Sequence, residues 1–375
     1  MMLRTEVLVV GGGPAGSTAA RYLAKNGVDT LLLDRNFSFV KPCGGGVPSF
    51  LFKEMDLPEH SARKHIDKIK VVSPKDDILD IDLEGASIAI VERGSFDQAL
   101  RVEAERCGAR LLEAEFSRFA DIGRTVTSEV ALRSPEPLSI EVAPGVPDTT
   151  KSRQQSIKVK ADYVIAADGV NSRVRTALNI KPPYSLLTLT EKIVDESADV
   201  CEFWFGASHA PRCYSWVFPQ GEGVSAGTGS LGHYEIRDLW RRFVLRRGLK
   251  TNGSARGYRV PLWQGDVYTS GKVLFAGDAA GQVMPMTFEG IYYAMKSGEM
   301  AAMAIAGRKI GEYRKLWERN FGRRFSLMRR LWTYFLKGDH RVEKIFDLHR
   351  RPEILNASMG LWLRKDLNKG SFLSY

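Results

Sequence analysis

Hydrophobic positions at the start of the chain change period twice, which predicts a strand, a helix and a second strand. Residues 6–10 form a short β-branched run typical of a buried strand, and residues 14–25 follow helical spacing. Gly27 supplies the left-handed conformation that often ends a helix. Residues 30–33 are again strand-like and are followed directly by Asp34. This order predicts a βαβ unit.

The rest of the chain predicts further strands with few helices between them. Residues 133–156 are rich in Pro, Ser and Thr and predict an exposed excursion. The other predicted elements are a helix at 97–107, strands within 109–132, a strand at 157–167, a β-rich section at 181–270 with a helix at 236–247, a strand at 273–276 and a helix at 291–306.

Composition is that of a folded soluble protein. The chain has 375 residues, of which 44% are hydrophobic and 26% are charged. No apolar run approaches the ~20 residues of a membrane span, and no secretory signal is visible, so we expect a cytoplasmic location. The four cysteines are widely spaced without a CxxC pair, which predicts reduced thiols and no metal site.

The excess positive charge lies at the C-terminal end. Residues 308–375 contain 17 Lys or Arg and seven Asp or Glu, whereas residues 1–307 contain 37 of each kind. Within this region an aromatic stripe recurs at helical spacing, with basic residues opposite it, namely Trp317, Phe321, Phe325, Met328, Trp332 and Phe335 against Lys315, Arg319, Arg323, Arg330 and Lys337. This pattern predicts either an anchor on the inner face of an anionic membrane or a helix docked on the protein core. We see no nucleic-acid-binding module and expect no nucleic-acid partner.

A glycine loop lies between the first predicted strand and helix. Gly11, Gly13 and Gly16 have the dinucleotide-binding spacing, and Asp34 follows eighteen residues after the last of them. The glycines let backbone approach a pyrophosphate, the helix N-terminus favours its charge, and the acid accepts from ribose hydroxyls. The alternative is a glycine turn that serves packing alone.

Five further motifs follow in order, and together with the glycine loop they carry a family resemblance. They are KPCGGG at 41–46, Arg93 in ERGSFDQAL, Asp168-Gly169, YSWVFP at 214–219 and GDAAG at 277–281. Over residues 3–306 the chain resembles the geranylgeranyl reductase family, within the flavoproteins that include p-hydroxybenzoate hydroxylase.

The resemblance implies FAD as the cofactor and an α/β fold. The expected fold has a discontinuous Rossmann-type FAD-binding domain (1–75, 93–180 and 271–307), a β-rich substrate-binding domain (76–92 and 181–270) and a basic helical C-terminal region (308–375). The expected cofactor-binding residues are Gly11, Gly13, Pro14, Ala15, Gly16, Asp34, Arg35, Cys43, Gly44, Gly45, Arg93, Asp168, Gly277, Asp278, Gly290 and Ile291. For Arg93 the alternative is a solvated loop arginine.

We expect Cys43 and the aromatic residues of YSWVFP to form the part of the site that contacts the substrate. In the family a cysteine matching Cys43 faces the flavin, although a small residue in a tight turn is the alternative. Tyr214, Trp216 and Phe218 alternate, so on a strand they share one face, and in the family this element lines an isoprenoid tunnel. The alternative is an ordinary β-core stripe. We expect Cys43, Tyr214 and Trp216 to be catalytic, and Tyr214, Trp216, Phe218 and Pro219 to bind substrate.

The resemblance implies a reductase that saturates C=C bonds of geranylgeranyl or longer polyprenyl chains on a lipid, quinone or pigment precursor. NAD(P)H, ferredoxin or a reduced quinone would be the electron donor. One alternative is an FAD monooxygenase or halogenase; halogenases carry a related WxWxIP element, but here its first residue is Tyr214 and its fifth is Phe218. The other alternative is a non-catalytic, membrane-peripheral flavoprotein or electron carrier.

Overall fold

The computed structural model describes residues 2–132, 156–232, 235–265 and 267–363. Its strands are β1 Met2–Val10, β2 Thr30–Asp34, β3 Gly46–Pro48, β4 Ala62–Ile66, β5 Lys68–Val72, β6 Ile78–Asp82, β7 Ile88–Val91, β8 Arg110–Ile122, β9 Val126–Leu132, β10 Ser156–Ala166, β11 Ser185–Ile193, β12 Cys201–Trp204, β13 Ser215–Pro219, β14 Val224–Ser230, β15 Arg256–Pro261, β16 Thr269–Ser270 and β17 Val273–Phe275.

The helices are α1 Pro14–Lys25, α2 Phe50–Glu54, α3 Arg93–Arg106, α4 Arg173–Ala177, α5 Ile236–Arg247, α6 Ile291–Ala306, α7 Glu312–Trp317, α8 Arg323–Phe335, α9 Asp339–His349 and α10 Pro352–Trp362. The predicted βαβ unit is confirmed as β1, α1 and β2. Helices α5 and α6 also have the predicted bounds. Of the predicted excursion, residues 133–155 lie outside the described residues.

The first sheet has a parallel centre in the order β8-β2-β1-β10-β17. Strand β1 begins four residues earlier than predicted, because its start pairs with β10 from Met2 opposite Lys158. Helices α1 and α6 pack together so closely that a Cβ on Gly298 would lie 2.1 Å from the carbonyl oxygen of Ala15. Glycine is therefore required at this helix contact.

The second sheet has the order β15-β11-β14-β13-β12-β5-β6 and is antiparallel except for the pair β12–β5. A small third sheet contains β3, β7 and β4. Strand β5 therefore hydrogen-bonds in the second sheet, although the predicted limits place residues 68–72 in the first domain. The domain limits themselves stay a prediction.

The aromatic stripe of the C-terminal region is buried. Its six side chains are at most 9% exposed. Trp317, for example, packs 5.2 Å from the ring of Phe325, which in turn lies 4.8 Å from Tyr293 of α6. The prediction that this stripe anchors the protein to a membrane is therefore wrong. The alternative, a helix docked on the protein core, describes the stripe. The five basic residues opposite the stripe are exposed.

Among the described residues, no helix combines the length and the apolar character that crossing a membrane requires.

Candidate active site

The glycine loop joins β1 to α1 at the carboxyl end of the parallel strands. A Cβ on Gly11, whose φ is +111°, would lie 2.2 Å from the carbonyl oxygen of Ala167, and one on Gly16 would lie 1.8 Å from that of Gly11. A Cβ on Gly13 would meet no atom of the described residues within 4 Å. Gly11 and Gly16 are thus required for close packing, whereas Gly13 faces open space at the start of the helix.

Asp34 holds the loop from the end of β2. Its Oδ2 accepts from the backbone N–H of Gly12 at 2.6 Å, and its Oδ1 accepts from that of Asn36 at 2.9 Å. The carboxylate also lines the cavity described below, next to the exposed Arg35. It therefore fixes the loop as well as offering acceptors to a ligand.

Asp278 lies in the helical turn Gly277–Ala280 that follows β17. The ammonium of Lys41 donates to its carboxylate and also lies 4.6 Å from the ring centroid of Tyr258. Burial lowers the pKa of Lys41, but Asp278 and Tyr258 together raise the pKa above its ordinary value. The KPCGGG segment is thereby tied to Asp278, one of the expected cofactor-binding residues.

Cys43 lies beside the aromatic strand. Its Sγ accepts from the backbone N–H of Gly45 at 3.3 Å, and its carbonyl oxygen accepts from the hydroxyl of Ser225 in β14 at 3.1 Å. A Cβ on Gly44 would lie 2.7 Å from the ring of Phe218 and 3.3 Å from Nε1 of Trp216. The loop backbone therefore rests directly on the aromatic side chains.

Arg93 is buried at the first position of α3 and is not a solvated loop residue. The helix begins four residues earlier than predicted because the carboxylate of Glu92 caps it, accepting from the N–H groups of Gly94 and Ser95. Arg93 makes two hydrogen bonds to Asp97, at 3.0 and 2.7 Å, and also interacts with the thiol of Cys43. Burial lowers the pKa of Arg93, but Asp97 and then Cys43 raise it above its ordinary value, so the group is a fixed cation.

Tyr214, Trp216 and Phe218 share one face, as predicted. Their rings pack around Phe203 and each other, with Tyr214 5.3 Å and Phe218 5.1 Å from Phe203 between ring centroids. The hydroxyl of Tyr214 donates to the carbonyl of Thr287 at 2.5 Å, and burial raises the pKa of Tyr214 well above its ordinary value. Tyr214 is therefore a neutral phenol with its proton committed to the backbone.

One cavity of about 310 Å³ connects these groups. The predicted residues that line it are Gly11, Gly13, Pro14, Ala15, Asp34, Arg35, Cys43, Gly44, Arg93, Asp168, Tyr214, Trp216, Phe218, Asp278, Gly290 and Ile291. Gly16, Gly45, Gly277 and Pro219 are not part of this lining. Gly277, for instance, uses its N–H on Ser297 at 2.8 Å and Gln282 at 3.0 Å.

The cavity fits FAD on three observations. Gly13 leaves open space at the N-terminus of α1, and no side chain of the described residues caps that terminus, which suits a pyrophosphate. Asp168 has a buried Oδ1 without a hydrogen-bond partner among the described residues, and burial raises its pKa. The cavity therefore offers a phosphate cradle and a free acceptor in one continuous space.

Sequence reasoning missed several polar residues of the cavity. Asp97 and Arg101, which were not predicted, follow the predicted Arg93 at four-residue steps on α3, and all three line the cavity. Arg101 donates to the carbonyls of Gly12 at 3.1 Å and Phe37 at 2.8 Å. The four-residue spacing of Asp97 and Arg101 on the predicted helix was an available signal.

A family model described as an FAD binding domain matches residues 4–46 and 73–311. The geranylgeranyl diphosphate reductase of Rhodobacter capsulatus is 30% identical, over 98% of this chain and 93% of that protein. Digeranylgeranylglycerophospholipid reductase 2 of Methanothermobacter thermautotrophicus is 31% identical, over 86% of this chain and 85% of that protein.

Solved structures share the fold. A geranylgeranyl bacteriochlorophyll reductase-like protein from Thermoplasma acidophilum has a TM-score of 0.79 and 25% identity, over 93% of this chain and 92% of that one. A flavin-dependent brominase has a TM-score of 0.74 at 16% identity, over 99% of this chain and 97% of that one. The likeness to the brominase concerns the fold alone.

Proposed function

The chain belongs to the geranylgeranyl reductase family of proteins with an FAD binding domain, and from this premise we propose that it is an FAD-dependent reductase that saturates C=C bonds of geranylgeranyl or longer polyprenyl chains. One observation carries the proposal. The glycine loop and the aromatic face of Tyr214, Trp216 and Phe218 line the same cavity, and Gly44 of the KPCGGG segment, which also lines it, packs against the ring of Phe218. A site for a dinucleotide is thus continuous with a flat apolar wall suited to an isoprenoid.

The residues that would hold FAD are those of the loop, Asp34, Arg93, Asp168, Asp278 and the turn at Gly290 and Ile291. When bound and reduced, FAD supplies a hydride. These residues bind and orient the cofactor, and the buried aromatic wall excludes water from the alkene.

A prenyl alkene lacks a carbonyl to polarise it, so the protein must manage positive charge and a proton. Charge developing on the tertiary carbon would be stabilised by the face of Trp216, which is 7% exposed, by ~2 kcal/mol in a desolvated site. Tyr214 contributes its ring in the same way, since its proton is committed to Thr287.

Cys43 is the proposed proton donor. Its S–H proton would go to one alkene carbon while the hydride is added to the other, leaving two new C–H bonds and a thiolate that solvent reprotonates. The cation of Arg93 interacts with this sulfur.

A lipid, quinone or pigment precursor could carry the chain, and NAD(P)H, ferredoxin or a reduced quinone could deliver electrons. Contact with an anionic membrane at its cytoplasmic face is proposed through the exposed basic residues opposite the buried stripe, such as Lys315 and Arg319.

The decisive experiment mixes the chemically reduced holoprotein, under anaerobic conditions, with geranylgeranyl lipids and polyprenyl quinones and measures product masses. Gains in steps of two hydrogens support the reductase. Products that form only with oxygen would indicate a monooxygenase or halogenase. Bound, reducible FAD with no change in any substrate would indicate an electron carrier.

A further inference from the structure

Three buried polar residues form a closed circle of hydrogen bonds behind the aromatic strand β13. Nδ1 of His209 lies 2.7 Å from Oγ of Ser215, the hydroxyl of Ser215 donates to Oγ1 of Thr228 at 2.8 Å, and the hydroxyl of Thr228 donates to the carbonyl of His209 at 2.7 Å. All three residues are 0% exposed. Both hydroxyl groups therefore donate within the protein.

Arg246 sets the direction of this circle. Its Nη1 lies 2.7 Å from Nε2 of His209, and because a guanidinium only donates, Nε2 accepts and the N–H at Nδ1 donates to Ser215. Arg246 is itself held by the carbonyl of Phe205 at 2.9 Å and by two hydrogen bonds to Asp76, at 3.0 and 2.6 Å. The donor and the acceptor of each hydrogen bond in the circle are therefore determined.

The circle fixes how β13 pairs with β14. Ser215 and Thr228 lie directly opposite each other in this pair, and in the same register Trp216 lies opposite Gly227. A Cβ on Gly227 would lie 2.2 Å from Cζ2 of Trp216. A shift by one residue would place Trp216 opposite Ala226 or Thr228 and would turn its ring to the other face of the sheet. The indole therefore packs on glycine in the register that the circle holds.

The circle lies on the face of the sheet away from the cofactor cavity. Ser215 and Trp216 are neighbours on β13, so their side chains point to opposite faces. Trp216 lines the cavity, whereas His209, Ser215 and Thr228 do not. The circle therefore acts on the site by holding the strand.

We propose that His209, Ser215 and Thr228 are positioning residues that hold the indole of Trp216 where it faces the prenyl alkene. This inference rests on the proposed function and adds to it residues that lie outside the cavity lining. Positive charge develops on the alkene only during the reaction, so misplacing the indole should slow turnover more than it weakens substrate binding.

The test removes one hydroxyl from the circle. Thr228→Val keeps the branched shape but loses the hydroxyl, whereas Thr228→Ser keeps the hydroxyl and loses a methyl group. Ser215→Ala opens the circle at its other hydroxyl and is a second, independent variant. Equal FAD content shows that each variant is folded.

Thr5 supplies the matched control. It is 7% exposed, and its hydroxyl donates to the carbonyl of Asp29 at 2.8 Å, near the start of β1 in the first sheet. Thr5→Val and Thr5→Ser therefore remove or keep a buried hydrogen bond of the same kind outside the second sheet. A loss of rate that comes from lower stability alone would appear in both Val variants.

The first readout is anaerobic reduction of a geranylgeranyl lipid by the chemically reduced holoprotein. We expect kcat of Thr228→Val and Ser215→Ala to fall about tenfold with KM nearly unchanged, because the attraction of a cation to an aromatic face depends on placement. Thr228→Ser, which keeps the circle closed, and both Thr5 variants should stay within about twofold of the wild-type kcat.

The second readout needs no turnover. The contribution of Trp216 to the near-UV circular dichroism is the difference between each protein and the same protein with Trp216→Phe. Thr228→Val should change this difference spectrum, whereas Thr228→Ser and Thr5→Val should leave it as in the wild type.

Wild-type kcat in Thr228→Val and Ser215→Ala, or an equal loss in Thr5→Val, would overturn the positioning role and leave the proposed function intact. A wild type that reduces no prenyl chain would overturn the proposed function. The difference spectra then still decide whether the circle holds Trp216, because an unchanged spectrum in Thr228→Val would overturn that role as well.

Discussion

Arg93 holds a buried ion pair and faces the cofactor cavity, and these two roles can be separated by substitution. Its guanidinium and the carboxylate of Asp97 are each 7% exposed and joined by two hydrogen bonds. Arg93→Met would leave a buried carboxylate without its partner. We expect the apoprotein to lose ~3–5 kcal/mol of unfolding free energy.

The double variant Arg93→Met/Asp97→Leu is the control. Replacing both partners by apolar side chains removes the unpaired charge, so most of the lost stability should return. Affinity for FAD should stay low in both variants, because neither carries the cation that faces the cofactor. Urea unfolding of the apoprotein measures the stability, and quenching of flavin fluorescence measures the dissociation constant.

Two results would refute this reasoning. A loss below ~1 kcal/mol in Arg93→Met would mean that the pair is not buried as described, since exposed pairs contribute that little. Wild-type FAD affinity in the stable double variant would mean that Arg93 supports the helix and does not contact the cofactor.

Three further predictions follow from other parts of the molecule. Gly13→Ala should fold normally, because the added Cβ would meet no atom of the described residues within 4 Å, yet it should bind FAD about tenfold more weakly by flavin fluorescence. Unchanged affinity would contradict the proposed phosphate cradle. Cys43→Ser should retain FAD by absorbance but lose most anaerobic turnover, and unchanged turnover would remove Cys43 from the proton transfer. Burial, reinforced by Arg246, lowers the pKa of His209 to about 4. Neutral His209 therefore contributes its full stabilisation to the folded protein above the unfolded pKa of ~6.5. As pH falls from there towards 4, the protein loses ~3 kcal/mol of unfolding free energy in total. His209→Gln should flatten the urea-stability profile over this range, and a difference from wild type that does not change with pH would contradict the assignment.

The sequence best predicted the elements whose bounds are determined by a local pattern of residues. The bounds of α1, α5 and α6 follow from helical periodicity, and the glycine loop follows from a motif whose residues lie close together in sequence. The pairing of Lys41 with Asp278 spans 237 residues, so no local pattern could reveal it. Both residues stand in recognised motifs, and only the fold brings the two motifs together.

The C-terminal stripe shows a different limit. An apolar face opposite a basic face is equally suited to a membrane surface and to a protein core, because both offer an apolar environment. The choice between membrane and core depends on the surface that the stripe meets, which here is formed by the aromatic side chains of α6 around Tyr293. That surface forms from a distant part of the chain, so periodicity leaves the choice open.

The aromatic stripe of β13 illustrates how geometry chooses between a core and a site. An ordinary core stripe would be covered by other apolar side chains, but Tyr214, Trp216 and Phe218 face a cavity, and loop backbone covers part of their surface at Gly44. Trp216 also keeps a buried indole N–H without a partner among the described residues, a cost of ~1–3 kcal/mol that a pure packing role would not require. Position 44 therefore requires glycine because its backbone packs directly on the alternating aromatic rings. This contact supports reading KPCGGG and YSWVFP as a single site.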